Sequence, residues 1–257
     1  PVERFSGGAN RDVIDGRGGY DIVSYLWDMS AFDPPARGES AATGGVTVDL
    51  IRGFGETAAG RDTLRNIEAV EGTPADDRIR GGRDYKAIEG FAGHDTLNGA
   101  GGEDLLDYLG QSLRPGPAGA PSAGVLVDVA AEEATDPHGF TDRILNLERI
   151  RGGQHDDTLL GDGAYNYLLG AQGDDAMNAR GGHDRLQGDS GNDKLAAGPG
   201  RDTLLGGPGE DTGKGGRGPD ELHGGADDDV LRGGGGSDTL RGETGGDRLF
   251  GQRGADD

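Results

Sequence analysis

The chain contains no cysteine, which excludes disulfide staples and thiolate-held metals. Aromatic residues make up 5% of its 257 residues and hydrophobic residues 32%. Typical domains are roughly 45–50% apolar with glycine counted, so an ordinary globular core is not expected. Bases are scarce: 25 Lys and Arg stand against 47 Asp and Glu, for a formal net charge of −22. That balance argues against nucleic acid and anionic membrane surfaces as partners and favours cations. No apolar run approaches ~18 residues, so no segment reads as a membrane span, and no secretory leader is recognisable. The sequence also lacks H-E-x-x-H, G-x-S-x-G and any Ser/His/Asp signature, so catalysis within this segment is not expected. Its five histidines, His94, His138, His155, His183 and His223, have no paired metal spacing and read as turn or surface residues.

Glycine is what the chain has in abundance, 54 residues, and it recurs at a fixed period. From Gly152 to Asp257 a nine-residue unit, G-G-x-G-x-D-x-U-x with U large and apolar, repeats without insertion or deletion. The sixth position is Asp157, Asn166, Asp175, Asp184, Asp193, Asp202, Asp211, Asp220, Asp229, Asp238, Asp247 and Asp256. The eighth is Leu159, Leu168, Met177, Leu186, Leu195, Leu204, Gly213, Leu222, Leu231, Leu240 and Leu249. A carboxylate and an apolar residue held in phase over this many units signal a solenoid. Two shorter blocks obey the same frame, residues 7–24 with Asp12 and Asp21 at position six, and residues 72–107 with Asp77, Lys86, Asp95 and Asp104 there.

The interruptions between blocks resemble each other. GVTVDL (45–50) returns as GVLVDV (124–129), and RDTLRNIEAVEG (61–72) as TDRILNLERIRG (141–152), eighty residues later. Val46, Val48 and Leu50 alternate with Thr47 and Asp49, the pattern of a half-buried strand. Residues 33–44 and 114–124 are rich in Pro, Gly, Ala and Ser and read as projecting loops. The chain thus divides into a short repeat block at 1–24, an insertion with a connecting unit at 25–71, a repeat block at 72–107, a second insertion and connecting unit at 108–151, and an uninterrupted array at 152–257. It stops seven residues into a nonapeptide, which reads as a segment of a longer protein.

The spacing predicts a geometry. Glycine at position four suits a turn with restricted φ/ψ, and x-U-x suffices for one short strand with U pointing in. Turn, strand, turn, strand closes one coil in two units, so units n and n+2 stack about 4.8 Å apart. Position-six carboxylates then form two columns, one running from Asp157 through every second unit to Asp247, the other from Asn166 to Asp256. Bare carboxylates at that separation repel by about 1 kcal/mol in water and about 3–4 kcal/mol at a partly buried effective dielectric. A hard cation taking six to eight oxygens reverses the sign; calcium fits, whereas magnesium demands octahedral geometry and zinc seeks nitrogen or sulfur. Five gaps per column allow up to ten Ca2+ in 152–257, with a few more at Asp12, Asp21, Asp77, Asp95 and Asp104. One buried leucine per unit returns only about 1.5–3 kcal/mol, far below the cost of ordering nine residues, so the array is expected to fold only on binding calcium.

These motifs resemble the RTX (repeats-in-toxin) family, the hemolysin-type calcium-binding repeats. The resemblance implies an all-β fold, a parallel β-roll interrupted here by two loop-bearing units. It further implies a secreted, extracellular segment exported by type I secretion, unfolded in the low-calcium cytosol and folded by calcium outside. Within that frame the chain is expected to be a monomeric spacer or adhesive segment, with a cell-surface or extracellular ligand as partner. The alternative is a stabilising or export module on a secreted enzyme or pore-forming toxin. A regular threonine file, as ice binding would need, is missing. Lys86 is expected to replace a cation and pair with Asp104, with Asn166 weakening the equivalent site. Gly213 should thin the core. Tyr25, Trp27, Phe32 and Phe54 should pack the first insertion against the roll rather than form a ligand patch.

Overall fold

The structure, a computed structural model, describes residues 2–7, 11–26, 44–112 and 123–257; Trp27, Phe32, 33–43 and 114–122 lie outside the described residues. It is a parallel β-roll. Successive nonapeptides alternate between two sheets of eleven and fifteen strands. Within the array each strand pairs in parallel with the one eighteen residues on, as in Thr158↔Ala176 and Tyr167↔Arg185. The expected two-unit coil is therefore the one observed. Position-eight residues point inward and stack: Leu159, Met177 and Leu195 from one sheet meet Leu168, Leu186, Leu204 and Leu222 from the other in one buried cluster.

Apart from Thr158–Leu160 and Ala176–Asn178, array strands are longer than the three residues expected. Arg185–Ser190 and its neighbours run for six, because position one continues the pleat, facing inward beside the leucine. The chain then turns through two left-handed residues. Position two sits at φ near 71° in Arg180 and Asp189, a region that side chains tolerate. Where position two is glycine it lies farther out, at 129° in Gly207 and 122° in Gly216, and position four lies there too, at 132° in Gly209 and 115° in Gly218, a region that suits glycine.

Gly213 leaves less of a hole than its lack of a side chain suggests. A methyl carbon there would lie 2.9 Å from Leu231 Cδ2, 3.6 Å from Leu222 Cδ2 and 3.7 Å from Leu204 Cδ2, so neighbouring leucines close over it. Gly213→Ala is expected to stabilise the calcium-loaded roll by about 0.4–1 kcal/mol through the unfolded chain. Gly213→Leu, by contrast, should overpack it by about 1–3 kcal/mol. Chemical denaturation of the two variants checks both signs.

Each interruption is an antiparallel meander spliced into the fifteen-stranded sheet. Thr47–Asp49 pairs in parallel with Arg78–Arg80 and Gly60–Arg65 with Val13–Asp15, while Phe54–Thr57 runs antiparallel between them. Leu126–Asp128, Glu133–Thr135 and Thr141–Leu145 repeat the arrangement, which gives this sheet its four extra strands. Val46 and Val48 are buried as their alternation predicts. The recurrent Asn-Ile-Glu and Asn-Leu-Glu have a conformational cause. Asn66 and Asn146 sit at φ 52° and 50°, where asparagine is favoured among non-glycine residues, and each turn delivers Ile67 or Leu147 to the core. Tyr25 and Phe54 are buried, with the Arg61 guanidinium 3.7 Å over the Phe54 ring, so packing is what these two aromatics do. One helical turn, Leu109–Ser112, follows the second repeat block.

Candidate metal centre

Position six follows the last turn residue and opens the strand, so its side chain folds inward beneath the turn. In the array these aspartates form the two expected columns, and a backbone ladder fixes their spacing. Asp175 N donates to Asp193 Oδ1 at 2.8 Å, Asp193 N to Asp211 Oδ1 at 2.7 Å, and Asp211 N to Asp229 Oδ1 at 2.8 Å. The other column repeats this from Asn166 through Asp184, Asp202, Asp220 and Asp238 to Asp256. Asp247 closes the first column as an acceptor for Asp229 N at 3.0 Å.

One oxygen of each carboxylate is thereby used. The other is not: Oδ2 of Asp175, Asp184, Asp193, Asp202, Asp211, Asp220, Asp229 and Asp238 is buried without a hydrogen-bond partner, as it is in Asp95 and Asp104 upstream. Both carboxylate oxygens of Asp21 are in the same condition. Buried polar atoms are rarely left this way. A carbonyl oxygen faces the same space. A methyl carbon on Gly170 would overlap Asp175 Oδ2 and lie 2.8 Å from Gly188 O; one on Gly188 would overlap Asp193 Oδ2 and lie 2.8 Å from Gly206 O. At Gly215 the corresponding distances are 2.5 Å to Asp220 Oδ2 and 2.7 Å to Gly233 O. Ala179 and Ala197 occupy this place in two units of one column.

The donor set is all oxygen, carboxylate and carbonyl together, which suits a hard cation of variable coordination and calcium above all. Among the described residues no three His, Cys, Asp or Glu side chains gather closely enough to hold a metal by themselves, so backbone oxygens must share the work. Electrostatics point the same way. Burial pushes Asp175 up to about 8 and Asp211 and Asp220 up to about 7, with neighbouring aspartates adding to the rise and backbone N–H groups opposing it. Asp193 and Asp184 are raised to about 6, again chiefly by burial. A positive charge between turns is what these groups lack.

Upstream the columns continue, with substitutions the broken frame conceals. Asp62 and Asp142, on meander strands, take position-six places: Asp12 N donates to Asp62 Oδ1 and Asp95 N to Asp142 Oδ1, both at 3.0 Å. Asp77 N donates to Asp95 Oδ1 at 2.8 Å. In the other column Glu68 and Glu148 stand in, each accepting through Oε2 at 3.0 Å from Asp21 N and Asp104 N. Lys86 departs from expectation. Its backbone N–H donates to Asp104 Oδ1 at 2.7 Å, but its ammonium lies 4.0 Å from Glu68 Oε1. The ammonium thus pairs with the glutamate of the preceding coil, which the nonapeptide frame does not register, while its charge also favours the ionised form of Asp104. Asp77 and Asp157 also differ from the array. Asp77 accepts from Val46 N and Thr73 Oγ1 on one oxygen and from Thr73 N on the other. Asp157 accepts from Val125 N and Gly153 N at 2.6 Å each. With both oxygens taken, these two are the poorest candidates among the residues the sequence picks out.

A second ladder, unforeseen from sequence, runs outside the first. Position-five side chains accept the N–H one coil on: Asp156 from Asp174, Asp174 from Asn192, Asn192 from Glu210, and His183 from Arg201 through Nδ1 at 2.9 Å. His94 and His138 pack on Phe140 and Phe91, and His223 lies between Glu221 and Glu243. These histidines do turn and surface work. The only signal for the outer ladder is polar side chains recurring at position five.

A family model for the RTX calcium-binding nonapeptide repeat matches residues 3–24, 71–106, 151–186, 169–204, 179–213, 205–240 and 232–257. These ranges cover well over half the chain and coincide with the three repeat blocks. No curated protein matches it.

Proposed function

Because the chain belongs to the family of RTX calcium-binding nonapeptide repeats, we propose that it is a module of a secreted protein that folds on extracellular calcium and then serves as a stiff spacer or contact segment. The observation that carries this is the row of buried, partnerless Oδ2 atoms, with a position-one carbonyl oxygen beside those of Asp175, Asp193, Asp211 and Asp220. Asp175, Asp193, Asp211 and Asp229 in one column, and Asp184, Asp202, Asp220 and Asp238 in the other, would hold the ions with those carbonyls. Asp247 and Asp256 would complete the ends of the columns, and Asp95 and Asp104 would serve upstream. Asp21, with both oxygens buried and partnerless, would serve there too, whereas Asp12, Asp77 and Asp157 are weaker members of the same set. A bound calcium supplies compensating charge and a ligand for each stranded oxygen, and so ties coil to coil.

The blocks then take different roles. The array at 152–257 is the calcium-dependent rod, and the interruptions at 25–71 and 108–151 carry whatever contacts the module makes. Release into a calcium-rich medium, by the type I route, accounts for a chain that stays extended in the cytosol and compacts outside. The test is far-UV circular dichroism during calcium titration from a chelated start, with magnesium as control. A cooperative, calcium-selective gain of β signal is expected. Full structure in chelator, or none in millimolar calcium, would overturn the proposal.

A further inference from the structure

At two places in the roll the stranded carboxylate oxygen already has a partner, and the partner is a tyrosine. Tyr25 and Tyr108 each follow directly on a complete nonapeptide, 16–24 and 99–107, and so stand at position one, where array units have glycine or alanine. Both are core residues, Tyr25 at 6% exposure and Tyr108 at 0%. Tyr25 Oη donates to Asp62 Oδ2 at 3.1 Å, and Tyr108 Oη to Asp142 Oδ2 at 3.5 Å. Asp62 and Asp142 are the position-six stand-ins of the two meanders, and their other oxygens accept Asp12 N and Asp95 N. Each carboxylate is thus satisfied without a cation, and the space the array keeps at position one is filled by a ring.

The surroundings are shaped for this. A methyl carbon on Gly55 would overlap the Tyr25 hydroxyl, and one on Gly7 would overlap the Tyr25 ring. The residue facing Asp142 across the second meander is Ala134, where Gly55 faces Asp62 in the first. The extra methyl accompanies the longer of the two hydrogen bonds. Across each junction the next carboxylate in the column, Asp77 or Asp157, spends both oxygens on N–H and O–H donors.

Resting on the calcium reading above, we propose that Tyr25–Asp62 and Tyr108–Asp142 are ion-free clasps. The tyrosine hydroxyl takes the cation's place, ends the calcium column at each interruption, and holds the meander coils together when calcium is low. The interruptions thereby become calcium-independent brackets from which the ion-dependent coils grow.

Ions bound per chain, counted by native mass spectrometry of the full chain in saturating calcium, test this with three variants. Asp62→Asn and Asp142→Asn should leave the wild-type count unchanged, since the amide oxygen still accepts the backbone N–H and the amide N–H can donate to the tyrosine oxygen. Asp211→Asn, within the array, should lower it by at least one. A lower count in either clasp variant would place an ion there and overturn the clasp. An unchanged count in Asp211→Asn would overturn the calcium columns themselves. Tyr108→Phe keeps the ring but removes the hydroxyl. Hydrogen exchange in chelator should then be roughly tenfold faster over Leu126–Asp128 and Thr141–Leu145, and unchanged rates would show that the hydroxyl holds nothing.

Discussion

In chelator, lowering the pH from about 8 to about 5 is expected to restore part of the β signal that calcium gives at neutral pH. Ordinary proteins lose structure on acidification because their paired carboxylates must be protonated. Here the sign is reversed. Burial raises Asp95 to about 9, Asp175 to about 8, and Asp104, Asp211 and Asp220 to about 7 in the folded chain, whereas in the unfolded chain an aspartate sits near 3.9. Above the folded values both states are ionised, and folding bears the full cost of burying charge. Below about 4 both are protonated and the cost is gone. In between, folding takes up protons, and each one taken up shifts the folded-to-unfolded ratio on the order of tenfold per pH unit in favour of folding as the pH falls. Acidification also relieves the repulsion of a chain carrying −22. Circular dichroism against pH in chelator, with light scattering to separate folding from association, reads the effect. A flat or falling β signal would show that buried carboxylate charge is not what keeps the ion-free chain open.

Gly209→Ala should divide the array in two. Gly209 is a position-four glycine at φ 132°, outside the left-handed pocket that alanine can enter, and that conformation alone costs a side chain about 1–3 kcal/mol. Its methyl would also overlap the Gly191 carbonyl oxygen of the coil beneath. That atom is backbone, held by its own stack, so it cannot swing aside as a side chain would. Coils contact mainly their neighbours, so cooperativity depends on every interface being intact. The calcium midpoint is expected to rise by about tenfold or more, since 1.4 kcal/mol is one decade, and the single transition should broaden or split. Gly163→Ala is the control, because a methyl there meets nothing within 4 Å. Equal midpoints for the two variants would refute a steric role for the position-four file.

The array was legible in the sequence because its physics is periodic. Nine residues per strand and turn, with Leu and Asp in fixed phase, dictate which side chains face inward and that residue i meets residue i+18. Less legible was everything that breaks the phase. The resemblance between 45–72 and 124–152 marked two equivalent excursions, but an antiparallel meander depends on pairing partners far apart in the chain. Glu68 and Glu148 do an aspartate's work with one more methylene, and the Asn-Ile-Glu recurrence was their only trace. Tyr25 reads as a packing aromatic and Tyr108 as the first residue of the second insertion; both are core residues. Their second role depends on the position of one oxygen, and no spacing rule encodes that. Lys86 acts on Asp104 as its charge and column suggest, but its ammonium also reaches Glu68, in a coil the frame skips.

The eighteen-residue coil also fixes how the molecule answers to tension along its axis. A pull on one end of the chain peels the terminal coil first, since each coil is bonded mainly to the next. Peeling one coil frees eighteen residues, about 60 Å of extended chain, while the stack shortens by only about 4.8 Å. Under the proposed calcium loading the array would thus lengthen in near-equal steps, at forces that rise with the calcium concentration.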